Sequence, residues 1–284
     1  MPELPEIETV RTALEPVLAG KTIESAEVRN PKMTVHRTAQ EFSELVSGKT
    51  VESLSRRGKI LVWNLDGGDR IVFHFRMTGQ MAVAPPGWGE IKHVRLVMDL
   101  GDGCRMQFGD QRKFARVWFL RPGDGDDTGM GSLGPEPDDP SLDWRYLRDS
   151  LGNSRRAVKT ALLDQTVVAG LGNIYTDEIL FGARVNPLIP CAGITVPQWK
   201  RIAAQIPETI SLAIEKNRMS PEEFLSRSGT WYRDPEGLNA YARAGKPCVR
   251  CGTPMERSSV GGRSACWCPK CQKMRRRNRS DPAF

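Results

Sequence analysis

The first residues in this chain whose types suit chemistry are Pro2 and Glu3, in Met1-Pro2-Glu3-Leu4-Pro5-Glu6-Ile7-Glu8. Removal of Met1 leaves Pro2 as a secondary α-amine. An α-amino group ionises at about pH 8, so a useful fraction is neutral at cell pH, whereas a lysine at about 10.4 needs strong desolvation to match it. A neutral secondary amine can attack the anomeric carbon of a sugar and form an iminium ion, the Schiff-base form of covalent catalysis. Glu3, one residue on, is placed to move the protons. Glu6 and Glu8 need no such role, because acids in a first helical turn complement the helix dipole.

The second set is Cys248-x-x-Cys251 followed, after sixteen residues, by Cys268-x-x-Cys271. Two such pairs at this separation fit a tetrahedral four-thiolate site for one Zn2+ ion. Four protein ligands leave no open position for water, so the zinc is structural. Cys266 has poorer ligand spacing and is read as a hairpin neighbour. Cys104 and Cys191 stand alone, and five of the seven cysteines crowd into residues 248–271. That crowding points to metal rather than disulfides, and to a reducing compartment.

The third is Ala169-Gly170-Leu171-Gly172-Asn173-Ile174-Tyr175. A dinucleotide site is excluded, because no third glycine follows and no βαβ unit surrounds the motif. A tight turn with Asn173 capping the next helix fits better, and helix-start amides with a short amide side chain make a phosphate-binding corner. Arg155, Arg156 and Lys159 add positive charge ahead of it.

These groups must be positioned by elements readable from the pattern. Ile7, Val10, Leu14, Val17 and Leu18 recur at helical spacing from the very start, with Pro5 in the first turn and Gly20 at the stop. Short β-rich runs follow, among them Lys59–Leu65, Arg70–Phe75, His93–Leu100 and Phe114–Leu120, separated by turns such as Asp66-Gly-Gly-Asp69. They predict an antiparallel β-sandwich behind the leading helix. The stretch 122–140, dense in Gly, Pro and Asp, reads as a linker. From Ser141 the period turns helical, with helix starts at Thr195-x-x-Gln198 and Ser220-Pro-Glu-Glu223 and a kink expected at Pro207. The expected class is α+β multidomain, with a sandwich over 1–121, a helical domain over 141–243, a zinc finger over 244–272 and a basic tail over 273–284.

The 284 residues carry 41 Lys+Arg against 34 Asp+Glu, a net +7, which suggests a polyanionic partner. No run of about 18 apolar residues exists, so no membrane span is expected. The acidic start is unlike a signal peptide, and a cytoplasmic protein is expected.

The opening Met1-Pro-Glu-Leu-Pro-Glu-Ile-Glu8 resembles that of the formamidopyrimidine-DNA glycosylase family; the related endonuclease VIII branch usually has Gly where this chain has Leu4. The resemblance covers nearly the whole chain. It implies a monomeric, bifunctional glycosylase and abasic-site lyase of base excision repair. Its partner would be damaged double-stranded DNA, from which it removes oxidised purines (8-oxoguanine, formamidopyrimidines) by a Pro2 Schiff base and β,δ-elimination. It implies a helix–two-turn–helix around Asn173 that binds backbone phosphate, and a zinc-finger β-hairpin whose Arg263 contacts the phosphate of the lesion nucleotide. In Arg56-Arg57-Gly58-Lys59, Lys59 inherits the lysine that promotes elimination. Met77, in His74-Phe-Arg-Met-Thr-Gly79, and Arg112 and Phe114, in Asp110-Gln-Arg-Lys-Phe114, match the side chains that fill the gap left by an extruded base. His74 and His93 match DNA-contacting positions, although the family often shows two histidines where His93 stands alone. The stretch Ser228–Tyr241 looks shortened against the family's loop over extruded 8-oxoguanine, and Ala240-Tyr-Ala-Arg243 stands where Val-Tyr-Gly-Arg is usual. Two alternatives accompany these departures: an endonuclease VIII-like enzyme for oxidised pyrimidines, and a non-catalytic zinc-bearing DNA binder that keeps Met1.

Overall fold

The structure, a computed structural model, describes residues 1–230 and 237–274. Residues 231–236 of the shortened loop and Arg275, Arg276, Arg277 and Arg279 of the tail lie outside the described residues. In chain order the elements are α1 (Leu4–Leu18), β1 (Ile23–Val28), α2 (Ala39–Val46), β2 (Val51–Arg57), β3 (Ile60–Leu65), β4 (Arg70–His74), β5 (Gly79–Ala84), β6 (Val94–Leu100), β7 (Arg105–Asp110) and β8 (Arg116–Leu120). Then follow α3 (Trp144–Leu151), α4 (Val158–Leu162), α5 (Asn173–Gly182), α6 (Val196–Asn217), α7 (Pro221–Ser226), β9 (Glu256–Val260) and β10 (Arg263–Trp267). Contacts divide the chain into two compact units, Met1–Leu133 with Ser211–Asp234, and Gly134–Ile210 with Pro235–Phe284.

The first unit is the expected antiparallel sandwich with a leading helix. One sheet runs β1-β6-β7-β5 and the other β2-β3-β4-β8, with every strand pair antiparallel. Alternation along the strands sends Trp63 and Phe73 of one sheet and Met98 and Phe108 of the other into a shared core. The Phe73 and Phe108 rings meet 5.9 Å apart. Ile7, Val10, Leu14 and Leu18 of α1 pack into the same core, and Gly20 leaves the helix end at φ +82°. Met219 and Phe224, around the start of α7, belong to this core too, although the sequence pattern grouped them with the helical domain.

The strand ends differ from the expected ones. Strands were expected to begin at Lys59, His93 and Phe114 and to end at Phe75. They begin instead at Ile60, Val94 and Arg116 and end at His74. Gly58, Arg76, His93 and Lys113 have φ of +55°, +52°, +60° and +57°, a left-handed backbone that cannot continue a pleated strand. The residues marked out for chemistry sit at these breaks.

The second unit is helical with an appended hairpin. Asp143 caps α3 by accepting from the amides of Arg145 and Tyr146. The Thr195 amide donates to Gln198 Oε1 at 2.9 Å at the start of α6, and Pro207 is accommodated inside that one helix. β9 and β10 pair antiparallel through Gly261 and Gly262, at φ +56° and +73°, as a two-residue hairpin turn requires. Among the described residues no helix is long and apolar enough to cross a membrane.

Candidate functional site

In the first unit the N-terminus is fixed by its own helix. Pro2 and Glu3 are buried and Met1 is half-buried. Glu3 is the N-cap residue of α1, and its amide donates to Glu6 Oε2 at 2.7 Å in a reciprocal capping box. Glu6, assigned above only to the dipole, thus orients Glu3. Glu8 reaches sideways to Arg56 at 3.0 Å and to Arg11 at 2.6 Å. Burial works to raise the Glu8 carboxyl, but the hydrogen bonds and charges of Arg11 and Arg56 outweigh it and hold the group below its ordinary value. Arg56 also donates to the carbonyl of Gly58 at 3.0 Å. The helix that carries Pro2 is therefore tied to the turn that carries Lys59.

Lys59 is the second residue of the two-residue turn between β2 and β3, and Gly58 supplies the positive φ there. The next residue, Ile60, pairs with His74 across β3 and β4. Burial, then the charges of Arg76 and Lys59, push the His74 imidazole down to about 4. Its Nδ1 accepts from the Arg76 amide at 3.1 Å, so the neutral ring carries its proton on Nε2 and offers a donor there.

Met77 lies half-buried in the β4–β5 connection, and His93 is exposed just before β6. Arg112 is exposed between β7 and β8, its guanidinium 4.8 Å from the centre of the Phe114 ring. Phe114 is 49% exposed. A cation-backed aromatic ring left in solvent is unusual for a residue that packs a core, and it suits insertion into a base stack. Sequence reasoning passed over Asp110. This 1% exposed carboxylate accepts from Thr78 Oγ1, from the Arg112 amide at 3.2 Å and from the Ala115 amide at 2.8 Å.

In the second unit the glycine-rich turn is built by Gln165, whose side chain donates to the carbonyls of Leu163 and Leu171 and accepts from the Gly170 amide. Asn173 is the first residue of α5, not its cap; Gly172 holds the cap position. Asn173 Nδ2 donates to Ser264 Oγ at 3.3 Å, and its buried Oδ1 has no partner among the described residues. Arg155 is exposed, as a phosphate contact needs.

Lys159 requires a correction. It was expected to face DNA, but it is fully buried, donating to Asp177 Oδ1 at 2.7 Å and to the Ser264 carbonyl at 2.5 Å. Its position on α4 points into the unit, and Asp177 neutralises it there. Asp177 Oδ2 also accepts from the Cys266 amide at 3.2 Å. Glu178, beside it, accepts from the amides of Asn239, Ala240 and Tyr241 at 2.7–2.9 Å. An adjacent acid pair set among Ile174, Tyr175, Ile179, Leu180 and Phe181 was the available signal for both. Arg263 is exposed as the first residue of β10, and the backbone just after it is held by Lys159 at the Ser264 carbonyl and by Asp177 at the Cys266 amide.

The sulfurs of Cys248, Cys251, Cys268 and Cys271 all lie within 4.8 Å of one another. Cys251 is 3.5 Å from both Cys268 and Cys271, and Cys248 is 4.0 Å from Cys271. A tetrahedron of bonds near 2.3 Å to zinc would separate sulfurs by about 3.8 Å. The amides of Arg250 and Cys271 donate to the sulfurs of Cys248 and Cys268 at 3.4 and 3.3 Å, as thiolate ligands need. Cys266 is buried in β10 and is not one of the four. The donor set fits one structural zinc ion.

Three family models match the chain in series. These are the formamidopyrimidine-DNA glycosylase N-terminal domain at residues 1–117, the formamidopyrimidine-DNA glycosylase H2TH domain at 133–223 and the zinc finger found in FPG and IleRS at 245–273. The formamidopyrimidine-DNA glycosylase of Pelotomaculum thermopropionicum is 37% identical over 97% of this chain and 100% of its own length. That of Chloroflexus aurantiacus is 40% identical, with 96% and 98% covered. Lactococcus lactis Fpg in complex with an oxidized pyrimidine containing DNA superposes at a TM-score of 0.86, with 32% identity over 96% of this chain and 100% of that one. The same protein with FAPY-dG containing DNA gives 0.84 at 32% identity, with the same coverage of both chains. The three models follow one another along most of the chain, and the relatives match it over nearly their whole length, so the chain belongs to the formamidopyrimidine-DNA glycosylase family.

Proposed function

We propose that this chain is a bifunctional DNA glycosylase and abasic-site lyase of base excision repair, acting as a monomer on damaged double-stranded DNA in the cytoplasm, at the nucleoid. Its substrates are oxidised purines, 8-oxoguanine and formamidopyrimidines. With Met1 removed, the Pro2 nitrogen attacks the anomeric carbon of the damaged nucleotide. The bond to the base breaks, and the base leaves with a proton supplied within the site. Loss of the Pro2 N–H proton leaves an N,O-acetal; the sugar's C1′–O4′ bond then breaks, with a proton delivered to O4′, and the ring-opened iminium acidifies the neighbouring C2′ carbon. Loss of a proton there expels the 3′ phosphate, and a second elimination expels the 5′ phosphate. Glu3 serves as general acid and base, a contribution of about 10²–10⁴-fold for such groups. Lys59 and Arg263 promote the eliminations by holding phosphate. His74, His93, Arg155 and Asn173 bind the DNA backbone, while Met77, Arg112 and Phe114 occupy the space the base leaves. Lys159 is left out of this set.

The observation that carries the reading is the anchoring of Pro2. α1 begins two residues after it, and Glu3 sits in the cap. Reaction of the chain with abasic duplex DNA under borohydride tests it. The wild-type chain is expected to become covalently joined to the DNA, and Pro2→Gly or an added N-terminal tag to lose most of that product. An undiminished adduct in either, or none in the wild type, defeats the reading. Intact-mass measurement of the purified chain reports whether Met1 has gone.

A second substrate class has one observation behind it: the Lactococcus lactis relative was solved with an oxidized pyrimidine containing DNA. A panel of lesion duplexes separates oxidised purines from oxidised pyrimidines.

A further inference from the structure

Three connections of the first unit carry residues assigned to the DNA: Arg76-Met77-Thr78, Lys92-His93 and Gln111–Phe114. Each contains one non-glycine residue in left-handed backbone, Arg76, His93 and Lys113. Such residues are strained and persist only where the surroundings over-determine them. All three connections meet at Asp110. Its carboxylate takes Thr78 Oγ1 from the first and the Arg112 and Ala115 amides from the third. Thr78 Oγ1 in turn accepts from the Arg112 amide at 3.1 Å. The Asp110 amide donates to the His93 carbonyl at 2.9 Å, which brings in the second. Neighbouring Gly109 lets the Lys92 carbonyl approach, since a Cβ there would lie 2.6 Å from that oxygen.

We propose that Asp110, acting with Thr78, is a positioning residue for base extrusion. It holds the Met77 connection and the Arg112–Phe114 connection at a fixed separation, so that the three side chains enter the duplex as one body. It touches neither the base nor the sugar. The inference rests on the glycosylase reading above and concerns only the step before chemistry.

Single-stranded abasic DNA has no base to extrude and no stack to fill, so it isolates chemistry at Pro2 from opening of the duplex. Asp110→Asn sets an amide donor against either the Thr78 side or the Ala115 amide. Thr78→Val removes the hydroxyl link, and Thr78→Ser keeps it. Excision from a lesion duplex is expected to fall by at least about tenfold in Asp110→Asn, as a misplacement of about 1 Å warrants, and by less in Thr78→Val. Thr78→Ser should match wild type. Borohydride adduct on single-stranded abasic DNA should stay within about twofold of wild type throughout, because no positioned wedge is needed there. The fluorescence rise of 2-aminopurine beside the lesion, which reports unstacking, should slow in step with excision. Equal losses on duplex and single strand, or no loss on either, overturn the proposal. Should Asp110→Asn fail to fold, the two Thr78 variants decide it by the same comparison. A wild-type chain inactive on both substrates instead refutes the glycosylase reading itself.

Discussion

Lys159 Nζ lies 2.7 Å from Asp177 Oδ1, and neither side chain reaches solvent. A charge held this way serves the fold, because a phosphate has no access to it. Removing one partner of a buried pair leaves the other uncompensated, at about 3–5 kcal/mol. Lys159→Met should therefore destabilise by that order in urea unfolding at neutral pH. Lys159→Met with Asp177→Asn should recover a large part, since Asn still accepts from the Cys266 amide. The outcome that would restore Lys159 as a DNA contact is unchanged stability with a salt slope of binding lowered by about 0.9. That slope change is expected instead of Arg155→Ala.

The contrast between these two residues shows what could be read from the chain. Arg155, Arg156 and Lys159 look alike as a basic run. Arg155 and Arg156 precede α4, whereas Lys159 lies on it and is turned inward by the helix, and α4 has five residues, too few to set its phase by periodicity. The sandwich, the leading helix, the zinc quartet and the glycine-rich turn were legible because each rests on local spacing. Asp110 and Gln165 were not, because each acts by closing contacts between segments distant along the chain or between turns. The ends of the strands were missed for a related reason: Arg76, His93 and Lys113 adopt a backbone that their residue types do not announce.

Zinc loading should follow the four-sulfur geometry. One zinc per chain is expected by elemental analysis. Cys251→Ser should lose most of it, because Cys251 stands 3.5 Å from two of the other sulfurs. Cys266→Ala should keep the full complement, since that thiol lies outside the quartet. Chelation should loosen the β9–β10 hairpin, seen as faster amide exchange at Ser264–Trp267, while the sandwich strands stay protected. A Cys266 variant that arrives without metal would show that the finger uses a different set.

His74 gives the stability a pH dependence of predictable sign. Its folded value is depressed to about 4 from an ordinary 6.5. Between these limits the unfolded chain binds more protons than the folded one, so stability falls as pH drops through the window. The full window corresponds to about 3 kcal/mol. His74→Gln, which cannot take up that proton, should lose less stability than wild type between pH 7 and pH 4.5. Parallel curves for the two proteins would mean that the imidazole is charged in the folded state.

Phe114 and Phe108 are six residues apart and opposite in setting, and they should respond oppositely to truncation. Phe108 is fully buried against Phe73 and Phe75. Phe108→Ala should cost about 3–5 kcal/mol through the cavity it leaves. Phe114 is half exposed, with the Arg112 guanidinium over its ring. Phe114→Ala gives up a surface cation–π contact worth about 0.5–1 kcal/mol and leaves the core untouched. Its effect should appear on duplex DNA. A ring that fills the space of an extruded base offsets part of the few kcal/mol of unstacking, so its loss should slow excision from a well-paired lesion by about tenfold or more. The loss should shrink on a lesion placed opposite a mismatch, where unstacking is already cheap. Thermal melts and single-turnover excision on the two duplexes provide the comparison. A large fall in melting temperature with equal slowing on both duplexes would return Phe114 to the core.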